Sequence, residues 1–191
     1  NVTVNGPGIL INQTTLDLTS DTINADVLNS GTLLVFYYNS INGTLTTTST
    51  SIIHLEGNGS YGTSQLTVAN GFTNNGLIEL TDVDAGYGAY LYVTTGTLTN
   101  ATGATISSLS GAGGPRYIDA EITNEGTITV DQSLTIENSG TTFTSTAGTI
   151  DVAAGNVLTI SSGTTVLASA TVLSGPGTGT MDLAGTHTLE L

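Results

Sequence analysis

Carboxylates are the side chains this sequence holds in greatest excess over any partner. There are 15 Asp and Glu against a single Lys or Arg, Arg116, for a formal net charge of −14 over 191 residues. The densest group is Asp82-Val-Asp84-Ala-Gly86-Tyr-Gly88, with Glu79 close by in sequence. Asp-x-Asp followed by Gly is how a loop offers hard oxygens to Ca²⁺, so Asp82 and Asp84 are the candidate metal ligands and calcium the candidate cofactor. The remaining EF-hand ligands and the nonapeptide β-roll repeat are missing, and a solvated turn is the plainer reading. A second group, Asp119 and Glu121, shares one strand face by period two, with Glu125 near. Stacking of repeats against Asp131 or Asp151 would gather acids that could divide proton transfer between them, one as acid and one as base.

Other chemistry is poorly supplied. Without Cys there are no thiolate sites or disulfides. His54 and His187 stand far apart, each beside aliphatic residues on a strand, where a histidine is more often a rim residue than a ligand. No Gly-x-Ser-x-Gly elbow occurs. The expectation is a protein that is not an enzyme. An acidic surface also repels phosphate backbones and anionic headgroups, which argues against nucleic acid and against polybasic membrane binding. No apolar run approaches the length of a membrane span, and the expected location is extracellular or at the cell surface.

Recognition has better raw material. The seven tyrosines all precede residue 118, and Tyr61, Tyr87, Tyr90 and Tyr117 lie in or beside Gly-rich segments. Aromatic rings near loops on a rigid support are suited to gripping a glycan or a surface receptor; the alternative is that they cover coils poor in aliphatics. Asn74, Asn100 and Asn124 recur at one place in a repeat, with Ser145 falling there too. An inward amide ladder that satisfies corner backbone is preferred to a polar recognition stripe. Thr-x-Thr pairs such as Thr127 with Thr129 raise the idea of an ice-binding grid, which uneven repeat spacing would break.

The elements that must position these residues are short strands. Between Thr123 and Val152, aliphatics alternate with Thr, Asp or Glu at period two, and Gly126 and Gly148 precede equivalent strands. A unit so short cannot close a core alone and has to stack on copies of itself. With the Gly-x-Ile-x-Val phrase as ruler, the coils are marked by Ile9, Leu33, Ile53, Ile78, Ile106, Ile128, Ile150 and Met181. The fold class is all-β: one parallel β-solenoid domain over residues 1–191, about seven to eight coils, with irregular loops near 56–65, 81–89, 107–116 and 174–180. Both ends read as uncapped strands, so flanking repeats or head-to-tail contact between copies is expected.

The phrases Phe72-Thr-Asn-Asn-Gly-Leu-Ile, Leu98-Thr-Asn-Ala-Thr-Gly, Ile122-Thr-Asn-Glu-Gly-Thr-Ile and Leu134-Thr-Ile-Glu-Asn-Ser-Gly resemble the coils of bacterial surface-adhesin passengers, of the filamentous haemagglutinin-like and autotransporter-like kind. The resemblance covers most of the chain from Gly31 onward. It implies a right-handed parallel β-helix, secretion and a cell-surface role as a rod or fibre, and it names no active residue. Polygalacturonase-like and pectate-lyase-like β-helices, by their resemblance patterns, require an adjacent Asp-Asp pair, a Gly-His-Gly and basic residues beyond Arg116, none of which occurs here. The alternative function is a glycan-binding or polysaccharide-active β-helix.

Overall fold

In a computed structural model, which describes residues 1–84, 86–145, 147–168 and 172–191, the chain winds into a parallel β-solenoid of about eight turns. Its walls are an eleven-stranded, an eight-stranded and a three-stranded sheet. Among the described residues the strands pair in parallel and no helix occurs, so each coil passes its backbone hydrogen bonds to the coils on either side.

The eight-stranded sheet sets the coil count. Its inward column runs Leu16, Leu33, Ile53, Ile78, Ile106, Ile128, Ile150 and Leu173, in steps of 17, 20, 25, 28, 22, 22 and 23 residues. Two of the sequence markers differ. Ile9 lies in the three-stranded sheet opposite Asp26 and is 63% exposed, and Met181 pairs with Leu158 in the long sheet. Ile9 faces outward because the run Ile9-Leu10-Ile11 has no alternation to set its phase and Leu10 with Asn12 turns inward, whereas Met181 does pack on the core, on a wall that alternation cannot name.

The interior is a set of aliphatic columns. Leu66, Leu91, Ile118, Ile136 and Ile160 stack down the long sheet with no measurable exposure. Each such side chain contributes about 1.5–3 kcal/mol. The amides form a column of their own. The Asn74 amide donates to Asn100 Oδ1 at 2.9 Å, Asn100 to Asn124 Oδ1 at 2.8 Å, and Asn124 to Ser145 Oγ at 3.3 Å. Each also donates to the first carbonyl of the eight-stranded-sheet strand one coil on, as Asn100 does to Thr127 at 3.0 Å. Asn12 and Asn29 begin a similar ladder at 2.8 Å, and the Thr47 hydroxyl occupies the place between the two series, donating to the Thr73 carbonyl at 2.7 Å.

The loops near 56–65, 81–89 and 107–116 leave one and the same corner, between the eight-stranded and the long sheet. They are a residue or two shorter at their ends than the sequence suggests, because the strands run on through Gly57, Asp82 and Ser108. Rather than projecting singly they stack: the Val83 amide donates to Gly57 O at 3.0 Å and the Ala112 amide to Asp82 O at 2.8 Å. The result is a three-layered ridge along one edge of the long sheet.

Candidate functional site

Beside that ridge, the outward face of the long sheet carries the tyrosines. In the strand Ala89–Asn100, the buried Leu91 turns Tyr90 and Tyr92 outward; in Arg116–Asn124, Ile118 does the same for Tyr117 and Asp119. Register then stacks Tyr90 on Tyr117 and Tyr92 on Asp119, and the next coil places Glu137 on Asp119. Tyr38 stands one coil further away on the other side, opposite Gln65.

Three rings form a packed triangle. Centroids are 6.4 Å apart for Tyr90 and Tyr92, whose planes differ by 9°, 5.7 Å for Tyr90 and Tyr117, and 5.9 Å for Tyr92 and Tyr117. The rings touch one another, so no cation fits between them. Gly88 makes room, because a Cβ there would fall 2.3 Å from the Tyr90 ring and 2.9 Å from Pro115.

Next to the rings is a trough of about 360 Å³, floored by Asp119, Ala120 and Glu121 and walled by residues 93–96 on one side and Ser139 and Thr141 on the other. Coil lengths create it. At this corner seven positions separate Leu91 from Leu98 and seven separate Ile136 from Phe143, while only four separate Ile118 from Ile122 between them. Two long corners flank a short one. Wall to wall this spans two coil spacings, about 9.6 Å at 4.8 Å each. On the other side of the rings, Tyr38, Thr63, Gln65, Tyr90 and Tyr92 line a shallower hollow of about 250 Å³.

Electrostatics mark the floor. Asp119 is held above the usual carboxylate range, first by burial and then by Glu137 stacked on it. Burial, with the charges of Asp119 and Glu137 behind it, pushes the Tyr117 phenol up to about 12. The Tyr92 phenol is raised too, first by burial and then by Tyr90 and Asp119. Glu121 accepts a hydrogen bond from the Thr97 hydroxyl at 3.1 Å. The acids that meet Asp119 are therefore not those anticipated: Asp151 lies on the eight-stranded sheet opposite Thr129, and Asp131 follows the end of the strand Thr127–Val130 in that same sheet.

The remaining sequence candidates lie elsewhere. Asp82 is fully buried, with Oδ2 accepting from the Gly114 amide at 2.6 Å and Oδ1 from the Asp84 amide at 2.9 Å. Asp84 Oδ2 accepts from the Gly59 amide at 2.6 Å. Both carboxylates are committed to holding the loop ridge together, and Ala85 between them and Gly86 lies outside the described residues. Among the described residues no three His, Asp or Glu side chains gather as a metal site. Tyr61 stacks on Phe36 at 5.0 Å and Tyr87 packs beside Gly62 and Gly114, so both belong to the ridge and not to the ring triangle. Arg116 is 1% exposed, donates to the carbonyls of Gly114 and Leu109, and has its ionisation lowered by burial, which Asp82 partly offsets.

His54 sits between two carboxylates on the eight-stranded sheet, Nδ1 2.8 Å from Glu79 and Nε2 3.5 Å from Glu56. These lie at opposite edges of the imidazole and present no common point to an ion. Tyr92 and Glu137 are the site members that sequence reasoning did not single out. Their signal is an aligned tripeptide, Tyr90-Leu-Tyr92, Tyr117-Ile-Asp119, Thr135-Ile-Glu137, in which each central aliphatic is buried. Compared with protein-family models, with curated proteins and with solved structures, the chain matches none.

Proposed function

We propose that this chain is a non-catalytic, adhesive segment of an extracellular or cell-surface rod, and that it binds glycan across the tyrosine face of its long sheet. The observation that carries this reading is the triangle of Tyr90, Tyr92 and Tyr117, half-buried on a rigid ladder and bordered by a trough. Apolar faces of pyranose rings stack on such surfaces, and surrounding hydroxyls and carboxylates take the sugar hydroxyls. A solenoid held by continuous ladders keeps those rings in place without ligand, so little ordering cost is left for binding. An extracellular setting is supported by the Thr-, Asn- and Ser-rich strands and by the resemblance to adhesin coils.

A glycan array probed with the intact chain, with and without calcium, tests the proposal. Binding that disappears in Tyr92→Ala together with Tyr117→Ala supports it; an array with no positive spot, or binding indifferent to both changes, overturns it. Equal binding without calcium is expected, since Asp82 and Asp84 already serve backbone amides.

A second reading, polysaccharide hydrolysis, is favoured by one observation: Asp119 and Glu137 are stacked neighbours and Asp119 holds its proton unusually well. Against it, both carboxylates rise from one column of one sheet, so a sugar rests on both and cannot pass between them, as an acid and its partner acting on opposite sides of a bond require. Release of reducing ends from a bound polysaccharide, abolished by Asp119→Asn, would establish hydrolysis instead.

The terminal coils leave apolar side chains open. Val2, Val4, Leu10 and Leu16 rim a hollow of about 160 Å³ at one end, and Leu173, Leu189 and Leu191 are exposed at the other. Flanking repeats or a second copy would cover them, and sedimentation of a concentrated sample as a stable monomer would count against self-stacking.

A further inference from the structure

Resting on the glycan-binding reading, we propose that the trough beside the tyrosine triangle selects amine-bearing sugars, a chain of 2-amino-2-deoxyhexopyranose units whose ammonium groups settle over Asp119 and Glu121 while the sugar rings lie on Tyr92 and Tyr117. Four features of the site lead there. The trough is bordered by aromatic rings on one flank and by Ser139 and Thr141 hydroxyls on another, which suits a sugar and not a bare apolar chain. Its floor carries Asp119 and Glu121, with Glu137 in the next coil, and the single Lys or Arg of the sequence, Arg116, is buried with its guanidinium on the Gly114 and Leu109 carbonyls. No side-chain cation of the chain's own neutralises the floor, so a ligand that brings one gains the attraction in a partly desolvated site.

The alternatives fit less well. A divalent ion lacks a gathered ligand set among the described residues. A quaternary ammonium has no cage, since the rings stand only 5.7–6.4 Å apart. Uronic or sialic acids would meet like charge. A width of about two coil spacings admits one extended sugar chain, lying along the floor strand from Tyr117 past Asp119 to Glu121.

Titration calorimetry of the intact chain distinguishes these outcomes with three ligands: a β1,4-linked glucosamine hexamer, its fully N-acetylated counterpart, and hexalysine. The glucosamine hexamer should bind about tenfold more tightly than the N-acetylated one, and the preference should shrink as salt rises. Asp119→Asn with Glu121→Gln should erase the preference by weakening the glucosamine hexamer about tenfold more than the N-acetylated one; Tyr92→Ala should weaken both hexamers alike. Circular dichroism of each variant reports that the fold is retained. Equal affinity for the two hexamers, still dependent on Tyr92, would overturn the amine selection and leave glycan binding standing. Hexalysine binding as well as the glucosamine hexamer, indifferent to Tyr92→Ala, would instead overturn the sugar. Binding by none of the three would remove the amine proposal outright, and an array positive for other glycans would then be the measure of the broader reading.

Discussion

Two corners of the same coil solve the same problem differently. At the amide corner, Asn74, Asn100 and Asn124 repeat one answer in three successive coils, each donating to its neighbour and to a strand carbonyl one coil on. At the ridge corner, Asp82 and Arg116 give a single, unrepeated answer that braces the 81–89 and 107–116 loops, while Asp84 takes the Gly59 amide of the 56–65 loop. The amide corner consequently stays short: four positions from Asn74 to Ile78, six from Asn100 to Ile106 and four from Asn124 to Ile128. The opposite corner takes 13 positions from Ile53 to Leu66 and eight from Ile128 to Ile136. A ladder that is shared between coils penalises an insertion in any of them, whereas loops that carry their own acceptors can lengthen freely.

Asp82→Ala should separate the two corners most sharply. It leaves the Gly114 and Asp84 amides without acceptors and Arg116 buried without its nearest compensating charge, at a cost on the order of 3–5 kcal/mol. A denaturant midpoint and early proteolysis within 107–116 would register it; a loss no greater than that of an amide substitution would mean that the ridge is not held by this carboxylate. Asn100→Ala comes next, at about 1–3 kcal/mol, because it removes one acceptor of the Asn74 amide and the donor to Asn124 Oδ1 and to the Thr127 carbonyl. Combined with Asn124→Ala, the loss should be less than additive, since the two side chains share one hydrogen bond.

Gly88→Ala, where the ridge meets the tyrosine face, should cost about 1 kcal/mol in stability while displacing the Tyr90 ring. Its larger effect should appear in glycan binding, as a difference between stability and affinity that neither corner substitution produces.

The smallest effect is a titration. Ultraviolet absorbance should show the Tyr117 phenol ionising at about 12. The folded value lies above the unfolded value near 10, so the associated stability is full below pH 10 and is lost as pH rises toward 12. Asp119→Asn should bring that ionisation down.

Much of this architecture could be read from the chain. Between Leu33 and Ile150 the Gly-x-Ile-x-Val phrase repeats closely enough to fix the inward column, and the recurrence of Asn74, Asn100 and Asn124 placed them at one corner. At the ends the phrase decays, and the alternation of Ile9 and of Met181 fits two walls equally well. The site was harder. Tyr92, Asp119 and Glu137 are separated by 27 and 18 residues and become neighbours only through corner lengths that vary from coil to coil. Composition does not encode those lengths, and pairing by type favoured Asp131 and Asp151 because they sit within the most regular repeats.

The inward turn of Arg116 reaches beyond the ridge it braces. With that guanidinium enclosed, the outer envelope presents carboxylates of one sign along its whole length, and parallel neighbours at physiological ionic strength push apart once closer than about 8 Å. Such molecules planted densely would stand like the bristles of a brush, separated sideways, with their ring-bearing flanks left open to whatever polymer threads between them.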